Sequence, residues 1–217
     1  MSEDDSVLTR RHLEYIAEHT RGDDPFLNEL KAAAEKLDIP RIWISPAQAS
    51  FMQVILKLHG AKSVIEVGTL AGYSAIQMAR ALPEGGRVRT IELEDKHADF
   101  AEEWISKSDV AGKIEVLRGA GVDVLPRLEA GSADACFLDA DKANYPKYLD
   151  ECLRILPVGG LIMADNALGF GRLLTAPEDD AGVGAVRRFN DYMAGNNRVH
   201  GVIAPIGDGC WVGVKEA

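Results

Sequence analysis

The chain has 217 residues, 47% of them hydrophobic, which is enough for a sizeable core and suits a single α/β domain. Its 24 Lys and Arg residues against 34 Asp and Glu residues give a formal net charge of −10, which argues against broad binding to nucleic acid or to an anionic membrane. No apolar run approaches the ~20 residues that span a bilayer, and the three cysteines lack the spacing of a zinc site, so we expect reduced core thiols.

The N-terminal residues, MSEDDSVLTRR, are polar and acidic and do not resemble a signal peptide, so we expect a cytoplasmic protein. Two stretches with apolar residues at helical spacing follow, SVLTRRHLEYIAEH and PFLNELKAAAEKL. A third helix is predicted from Ser45, with Pro46 at its first position and the Gln48 amide placed for a capping box. It should run to about Leu58, and Gly60 should end it.

From residue 61 onward, apolar strands alternate with amphipathic stretches, which predicts a parallel sheet with crossover helices. The predicted strands lie in SVIEVG, RVRTIELE, KIEVLRG, ACFLDAD and GLIMADN. After a helix in GAVRRFNDYMAG, the tail reads as two strands, RVHGVIAPI and CWVGVKE, joined by the tight turn GDG. We expect one domain over residues 1–217, with a helical region at 1–60 and an α/β core at 61–217. The longest candidate loop, 167–181, is of a length that is often functional.

The first strand–turn–helix unit, VIEVGTLAGYSA at residues 64–75, predicts a turn at which a ligand can approach the backbone. Gly68 and Gly72 permit that approach where a helix begins, but the spacing lacks the middle glycine of the dinucleotide fingerprint, so a nicotinamide enzyme fits poorly. Glu92 ends the next strand about 20 residues further on, where a carboxylate can accept ribose hydroxyls. Taken singly, the turn also fits a packing turn, and Glu92 also fits a solvated strand-end acid.

Two apolar strands end in carboxylate and amide oxygens, in FLDADK (137–142) and IMADN (162–166). Because the carboxyl ends of parallel strands meet at one edge of the sheet, we expect Asp139, Asp165 and Asn166 near one another. Hard oxygen ligands without nearby His or Cys favour Mg²⁺, Mn²⁺ or Ca²⁺ over zinc. For one segment alone, Asp165 and Asn166 fit equally well as caps of the following turn, and it is the pairing of the two segments that favours a metal.

Six motifs, spread between Ile44 and Lys215, resemble in sequence and order those of the metal-dependent, S-adenosylmethionine-using O-methyltransferases, the family of catechol and caffeoyl-CoA O-methyltransferases and their bacterial relatives. The motifs are EVGTLAGYS (66–74), IELE (91–94), GAGVDVLP (119–126), FLDADKANY (137–145), GGLIMADN (159–166) and IGDG (206–209). The resemblance implies a Rossmann-like, seven-stranded methyltransferase sheet. That sheet is mostly parallel, with an antiparallel strand from the C-terminal hairpin and helices on both faces.

The resemblance also implies roles for individual residues. It assigns the metal to Asp139, Asp165 and Asn166, and catalysis to Lys142, as general base, and Asp139. The implied cofactor-binding residues are Ile44, Glu66, Gly68, Thr69, Ser74, Glu92, Gly121, Asp139 and Asp141. After the Asp–Asn pair the family has a Trp and a polar residue where this chain has Gly169 and Phe170, so we expect an open, apolar acceptor mouth.

Three functions follow as hypotheses. The leading one is methylation of a hydroxyl on a catechol-like small molecule, with S-adenosylmethionine and a divalent metal. The second is methylation of a hydroxylated uridine in tRNA, a role known among relatives of this family, which the acidic composition does not support. The third is a non-catalytic nucleotide-binding module, which the oxygen ligands and Lys142 argue against. The resemblance further implies a homodimer, with the N-terminal helices as candidate interface.

Overall fold

Seven strands form a single sheet in the computed structural model, which describes residues 9–217. The strands are β1 (Ser63–Val67), β2 (Arg87–Glu92), β3 (Ile114–Arg118), β4 (Ala135–Leu138), β5 (Leu161–Ala164), β6 (Val199–Ala204) and β7 (Cys210–Lys215). The α-helices of the described residues are α1 (Arg10–Glu18), α2 (Pro25–Lys36), α3 (Pro46–His59), α4 (Tyr73–Ala81), α5 (Asp95–Lys107), α6 (Gly121–Val124), α7 (Tyr145–Ile155) and α8 (Ala181–Ala194). The predicted alternation of strands and helices is confirmed.

The order of strands across the sheet is β3-β2-β1-β4-β5-β7-β6. The pairs from β3 through β5 are parallel, whereas β7 runs antiparallel to both of its neighbours, as the predicted hairpin requires. The strand order reverses between β1 and β4, and ligands of open α/β sheets bind at the carboxyl ends of the strands beside such a reversal. The sheet topology therefore locates the candidate site before any side chain is considered.

Helices cover both faces of the sheet, because alternate residues of each strand point to opposite sides. On one side, Phe137 of β4 packs in a core with residues of α2, α3, α4 and α5. On the other side, Cys136 and Leu138 pack with α6, α7 and α8. Both β4 and β5 are wholly buried, in agreement with their continuous apolar sequences.

The third helix begins and ends as predicted. The Ser45 hydroxyl accepts the backbone N–H of Gln48 at 3.2 Å, and Gly60 ends the helix in a left-handed conformation with φ +74°. The capping-box role of the Gln48 side chain is wrong, because its amide leaves the helix start and contacts Asp165. After β3 the predicted helix is short: α6 passes at Leu125 into a single 3-10 turn that contains Pro126, which has no N–H to donate.

Residues 1–8, with the acidic terminus and the start of the first predicted helix, lie outside the described residues. The three cysteines are free and buried, as expected of reduced core thiols. In the part of the chain that the structure describes, no helix combines the length and the apolar character needed to cross a membrane.

Candidate active site

A cavity of about 480 Å³, here called the first cavity, lies at the carboxyl ends of β1, β2 and β4. Most of the residues predicted to bind the cofactor line it, namely Ile44, Gly68, Thr69, Ser74, Glu92, Gly121, Asp139 and Asp141. The remaining predicted residue, Glu66, does not line the cavity and is fully buried in β1. Residues from five separate sequence segments therefore meet at the place where the strand order reverses.

The turn after β1 depends on glycine. Gly68 has φ +106°, and a Cβ built there would lie 2.0 Å from the carbonyl oxygen of Asp139. Any other residue would therefore push the turn away from the end of β4. Gly72, with φ +80°, sits at the start of α4, and the first two residues of that helix, Tyr73 and Ser74, line the first cavity.

Glu92 is held rigidly at the wall of the first cavity. One of its carboxylate oxygens accepts the backbone N–H of Leu70 at 2.8 Å, and the other accepts that of Glu94 at 2.9 Å. The side chain is 8% exposed. Each oxygen keeps a lone pair free, so the carboxylate is available as an acceptor in one fixed orientation.

Glu66 lies beneath the first cavity with an unsatisfied carboxyl group. Within residues 9–217 neither of its oxygens makes a hydrogen bond, although the hydroxyls of Ser74 and Thr90 lie near enough to favour the ionised form. Burial is the largest influence and, with repulsion from Asp139 and Glu92, raises the pKa of Glu66 to about 8. A buried acid that makes no hydrogen bond is unusual in a folded protein, so the environment of Glu66 needs an explanation.

A second cavity, of about 640 Å³, adjoins the first. Asp139, Ile44 and Asp141 line both, so the two cavities meet at the end of β4. The four residues predicted for metal binding and base catalysis all line the second cavity, namely Asp139, Lys142, Asp165 and Asn166. The structure thus brings together two strand ends that are more than 20 residues apart in the chain.

Lys142 lines the second cavity beside this junction, with its side chain 11% exposed. Its Nζ donates to Asp139 Oδ1 at 3.1 Å and to the Tyr145 hydroxyl at 2.5 Å. Tyr145 is fixed in turn, because its hydroxyl donates to the carbonyl of Leu138 at 3.0 Å. These contacts hold the amine beside Asp139, which lines both cavities.

Asp165 and Asn166 follow β5 directly. Burial, with repulsion from Asp139, raises the pKa of Asp165 to about 6, although Gln48 and Lys142 oppose that shift. Among residues 9–217 no group of three or more His, Cys, Asp or Glu side chains is arranged to hold a metal ion. The predicted ligand set instead combines two carboxylates with the Asn166 amide.

Two residues around this set were not predicted. Gln48 donates to Asp165 Oδ1 at 2.6 Å, and Asp208, in the turn between β6 and β7, accepts Asn166 Nδ2 at 3.2 Å. The IGDG motif marked the turn of Asp208 without giving it a role. For Gln48 the only local signal was the helix start, which favoured a cap.

Comparison with known proteins agrees with this site. A family model described as O-methyltransferase matches residues 17–216. Two curated relatives carry the name catechol O-methyltransferase. The one from Niastella koreensis is 39% identical over 197 residues, which cover 89% of this chain and 86% of that protein. The one from Mycobacterium tuberculosis is 39% identical over 172 residues, which cover 79% of this chain and 78% of that protein.

The fold has close counterparts among solved structures. The O-methyltransferase from Bacillus cereus, solved in complex with SAH, superposes with a TM-score of 0.84 at 31% identity and covers 94% of this chain and 96% of its own. Both the family match and the identities extend over the whole sheet and its strand-end loops. This chain therefore belongs to the O-methyltransferase family and is an S-adenosylmethionine-dependent enzyme of that family.

Proposed function

We propose that this protein transfers the methyl group of S-adenosylmethionine to one hydroxyl of a catechol-like small molecule, with the help of a divalent metal ion. The junction of the two cavities at Asp139 carries the proposal, because a cofactor in the first cavity and an acceptor in the second would meet there. The name of the two relatives at 39% identity supports the choice of a catechol.

The first cavity would hold the cofactor. Glu92 would accept hydrogen bonds from the ribose hydroxyls. The protein backbone at the Gly68 turn would approach the cofactor closely, because glycine has no side chain. Ile44 would lie near the methionine end. The proposed contacts also include Thr69, Ser74, Gly121, Asp139 and Asp141. Glu66 is retained in the set because its carboxyl group is unsatisfied and is influenced by Ser74, Asp139 and Glu92.

The second cavity suits a hard divalent cation such as Mg²⁺, Mn²⁺ or Ca²⁺, held by Asp139, Asp165 and Asn166. The fit is supported by the all-oxygen donor set and by the repulsion between the two carboxylates, which a cation between them would relieve. Bound there, the ion would stabilise the acceptor's oxyanion and hold a vicinal diol as a chelate.

Lys142 is proposed as the general base. A lysine acts as a base through its neutral amine, and the Nζ of Lys142 is already aimed by Asp139 and Tyr145. The acceptor's proton passes to Nζ as the hydroxyl oxygen attacks the methyl carbon. The carbon–sulfur bond breaks with its electron pair on sulfur, so the products are a methyl ether and S-adenosylhomocysteine. Positioning by the two cavities supplies much of the rate.

The proposal includes a homodimer acting in the cytoplasm. The dimer is supported by α1, which buries none of its residues against the rest of the described chain and exposes Leu13, Tyr15 and Ile16. The cytoplasm is supported by three buried, unpaired thiols.

The test is a methyl-transfer assay with labelled S-adenosylmethionine. The acceptors are a catechol, the same compound with one hydroxyl, and undermodified tRNA, each after chelation and after return of Mg²⁺. We expect the catechol to react far better than the mono-phenol, and only with the metal. Equal rates for mono-phenol and catechol, or full activity in excess chelator, would contradict the metal-chelate proposal. Methylation of tRNA but of neither phenol would show that the acceptor is tRNA and not a catechol-like small molecule.

A further inference from the structure

Gln48 is a buried polar side chain that the proposed chemistry does not use. It is 1% exposed, although it belongs to the first turn of α3. Its amide lines the second cavity and reaches the end of β5, where Nε2 donates to Asp165 Oδ1 at 2.6 Å. Because a carboxylate only accepts hydrogen bonds, this contact also fixes which end of the amide faces Asp165.

The other end of the same amide is fixed by the turn between β6 and β7. Gly207 in that turn has φ +60°, and a Cβ built there would lie 2.0 Å from Gln48 Oε1. The absence of a side chain at Gly207 therefore creates the space that Gln48 occupies. Gln48 is thus confined between the turn and Asp165, with little rotational freedom.

We propose that Gln48 is a positioning residue for the metal ligand Asp165. Its amide occupies Oδ1 and fixes the rotation of the carboxylate, which leaves Oδ2 for a cation in the second cavity. Partners that orient metal ligands contribute to affinity because they remove the entropy that the ligand would otherwise lose on binding. This inference rests on the metal site of the proposed function.

A purely structural role makes a different prediction from a positioning role. If Gln48 only fills space, its replacement lowers the stability of the metal-free protein and leaves the intrinsic affinity for metal unchanged. If Gln48 orients Asp165, metal affinity falls even where the metal-free protein is as stable as before.

The experiment compares wild type with Gln48→Met, which keeps the length of the side chain and removes the donor. Calorimetry with Mn²⁺, in the presence of saturating S-adenosylhomocysteine, gives the metal dissociation constant, and thermal unfolding in chelator gives the stability of the metal-free protein. We expect the dissociation constant to rise roughly 10- to 100-fold in Gln48→Met. Gln53→Met is the matched control, because Gln53 lies on the same helix and donates to Gln77, away from the second cavity.

A second variant keeps the inference testable if Gln48→Met folds poorly. Gly207→Ala retains Gln48 but displaces its amide, so it should weaken Mn²⁺ binding as well. The double variant should lose less Mn²⁺-binding free energy than the sum of the losses in the two single variants. If wild type binds Mn²⁺ and both single variants bind it with the same affinity, the role of Gln48 is overturned. If wild type itself binds no Mn²⁺, the metal part of the proposed function fails, and this inference fails with it.

Discussion

Single residues at the junction of the two cavities owe their properties to burial and to one or two neighbours. Asp139 shows this most clearly. It accepts a hydrogen bond from Lys142, and its charge adds to burial in raising the pKa of Asp165, so one carboxylate influences both the proposed base and the proposed metal ligand. Substitutions at this scale should therefore separate binding from chemistry.

Replacement of the proposed base tests the chemistry. We expect Lys142→Ala to lower kcat by roughly 10²–10⁴ at neutral pH and to leave cofactor affinity nearly unchanged, because the amine acts on the acceptor's proton. Steady-state kinetics and calorimetry measure the two quantities. Lys147→Ala, at an exposed position on α7, is the control. An effect confined to cofactor binding would remove Lys142 from the catalytic role.

Replacement of the strand-end acid tests the cofactor site. Glu92→Gln keeps the size of the side chain but loses the charge of an acceptor that is already held by two backbone donors. We expect S-adenosylmethionine binding to weaken by about 1.5–3 kcal/mol. Glu115→Gln, at an exposed position on β3, should bind normally in the same calorimetric titration. Equal affinities in the two variants would place Glu92 outside the site.

The buried acid in β1 should make stability depend on pH. The pKa of Glu66 is raised from 4.5 to about 8, so between these values the folded state binds a proton that the unfolded state has lost. The contribution of Glu66 to the free energy of unfolding is therefore fully present below pH 4.5. It falls as pH rises toward 8, with a limiting slope of about 1.4 kcal/mol per pH unit. Urea unfolding of wild type and Glu66→Gln across this range isolates the effect. Parallel pH profiles would mean that Glu66 does not titrate as described.

Among the elements, the turn between β6 and β7 connects the proposed metal site with the loop that follows β5. Asp208 accepts the backbone N–H groups of Phe170 at 2.6 Å and Gly171 at 2.8 Å, besides the Asn166 amide. The loop adopts left-handed backbone at Asn166, Gly169, Phe170 and Gly171. One carboxylate thus ties a loop of unfavourable conformation to a neighbouring hairpin.

The loop after β5 contributes to the mouth of the second cavity. Of Gly169 and Phe170, the two residues expected at that mouth, only Phe170 lines it. Phe170 lines the cavity and is half exposed, whereas Gly169 packs inward, where a Cβ would lie 3.3 Å from Leu173 and Val183. We expect an acceptor ring to be held loosely, so a caffeate-like acid should give both meta and para methyl ethers. Chromatography of the products measures the ratio, and a single regioisomer would contradict the open mouth.

At the scale of the whole molecule, α1 stands out as a helix whose residues all remain exposed within the described chain. None of its residues is buried, and Leu13 and Tyr15 are 45% and 61% exposed. An amphipathic helix of this kind gains stability when its apolar side is covered. The second copy proposed above would cover it.

The association state is directly measurable. Sedimentation should give twice the monomer mass of 23.5 kDa for wild type. Leu13→Glu places a charge in the proposed interface and should shift the equilibrium toward monomer, whereas Arg11→Ala, at an exposed position on the same helix, should not. A wild-type monomer at micromolar concentration would exclude the dimer.

By itself, the sequence determined the order of strands and helices, the antiparallel hairpin at the tail and the edge of the sheet where polar residues collect. These features can be predicted from local sequence, because each of the patterns behind them spans only a few residues: the side-chain period, the glycine turn and the polar end of an apolar run. The glycine turn after β1, Glu92 and the two polar strand ends were accessible from sequence for the same reason, whereas Ile44 and Gly121 were assigned only through the resemblance to the family.

Only the tertiary structure decided what surrounds those segments. Gln48 and Asp165 are 117 residues apart, and Asp208 is 42 residues from Asn166. The unpaired state of Glu66 likewise depends on the packing of neighbouring strands. Contacts of this kind follow from the packing of α3 and the β6–β7 turn against the sheet, and no local pattern records them. Because hydrogen bonds between distant side chains are set by the assembled fold, the sequence located the site while the fold decided how its ligands are oriented.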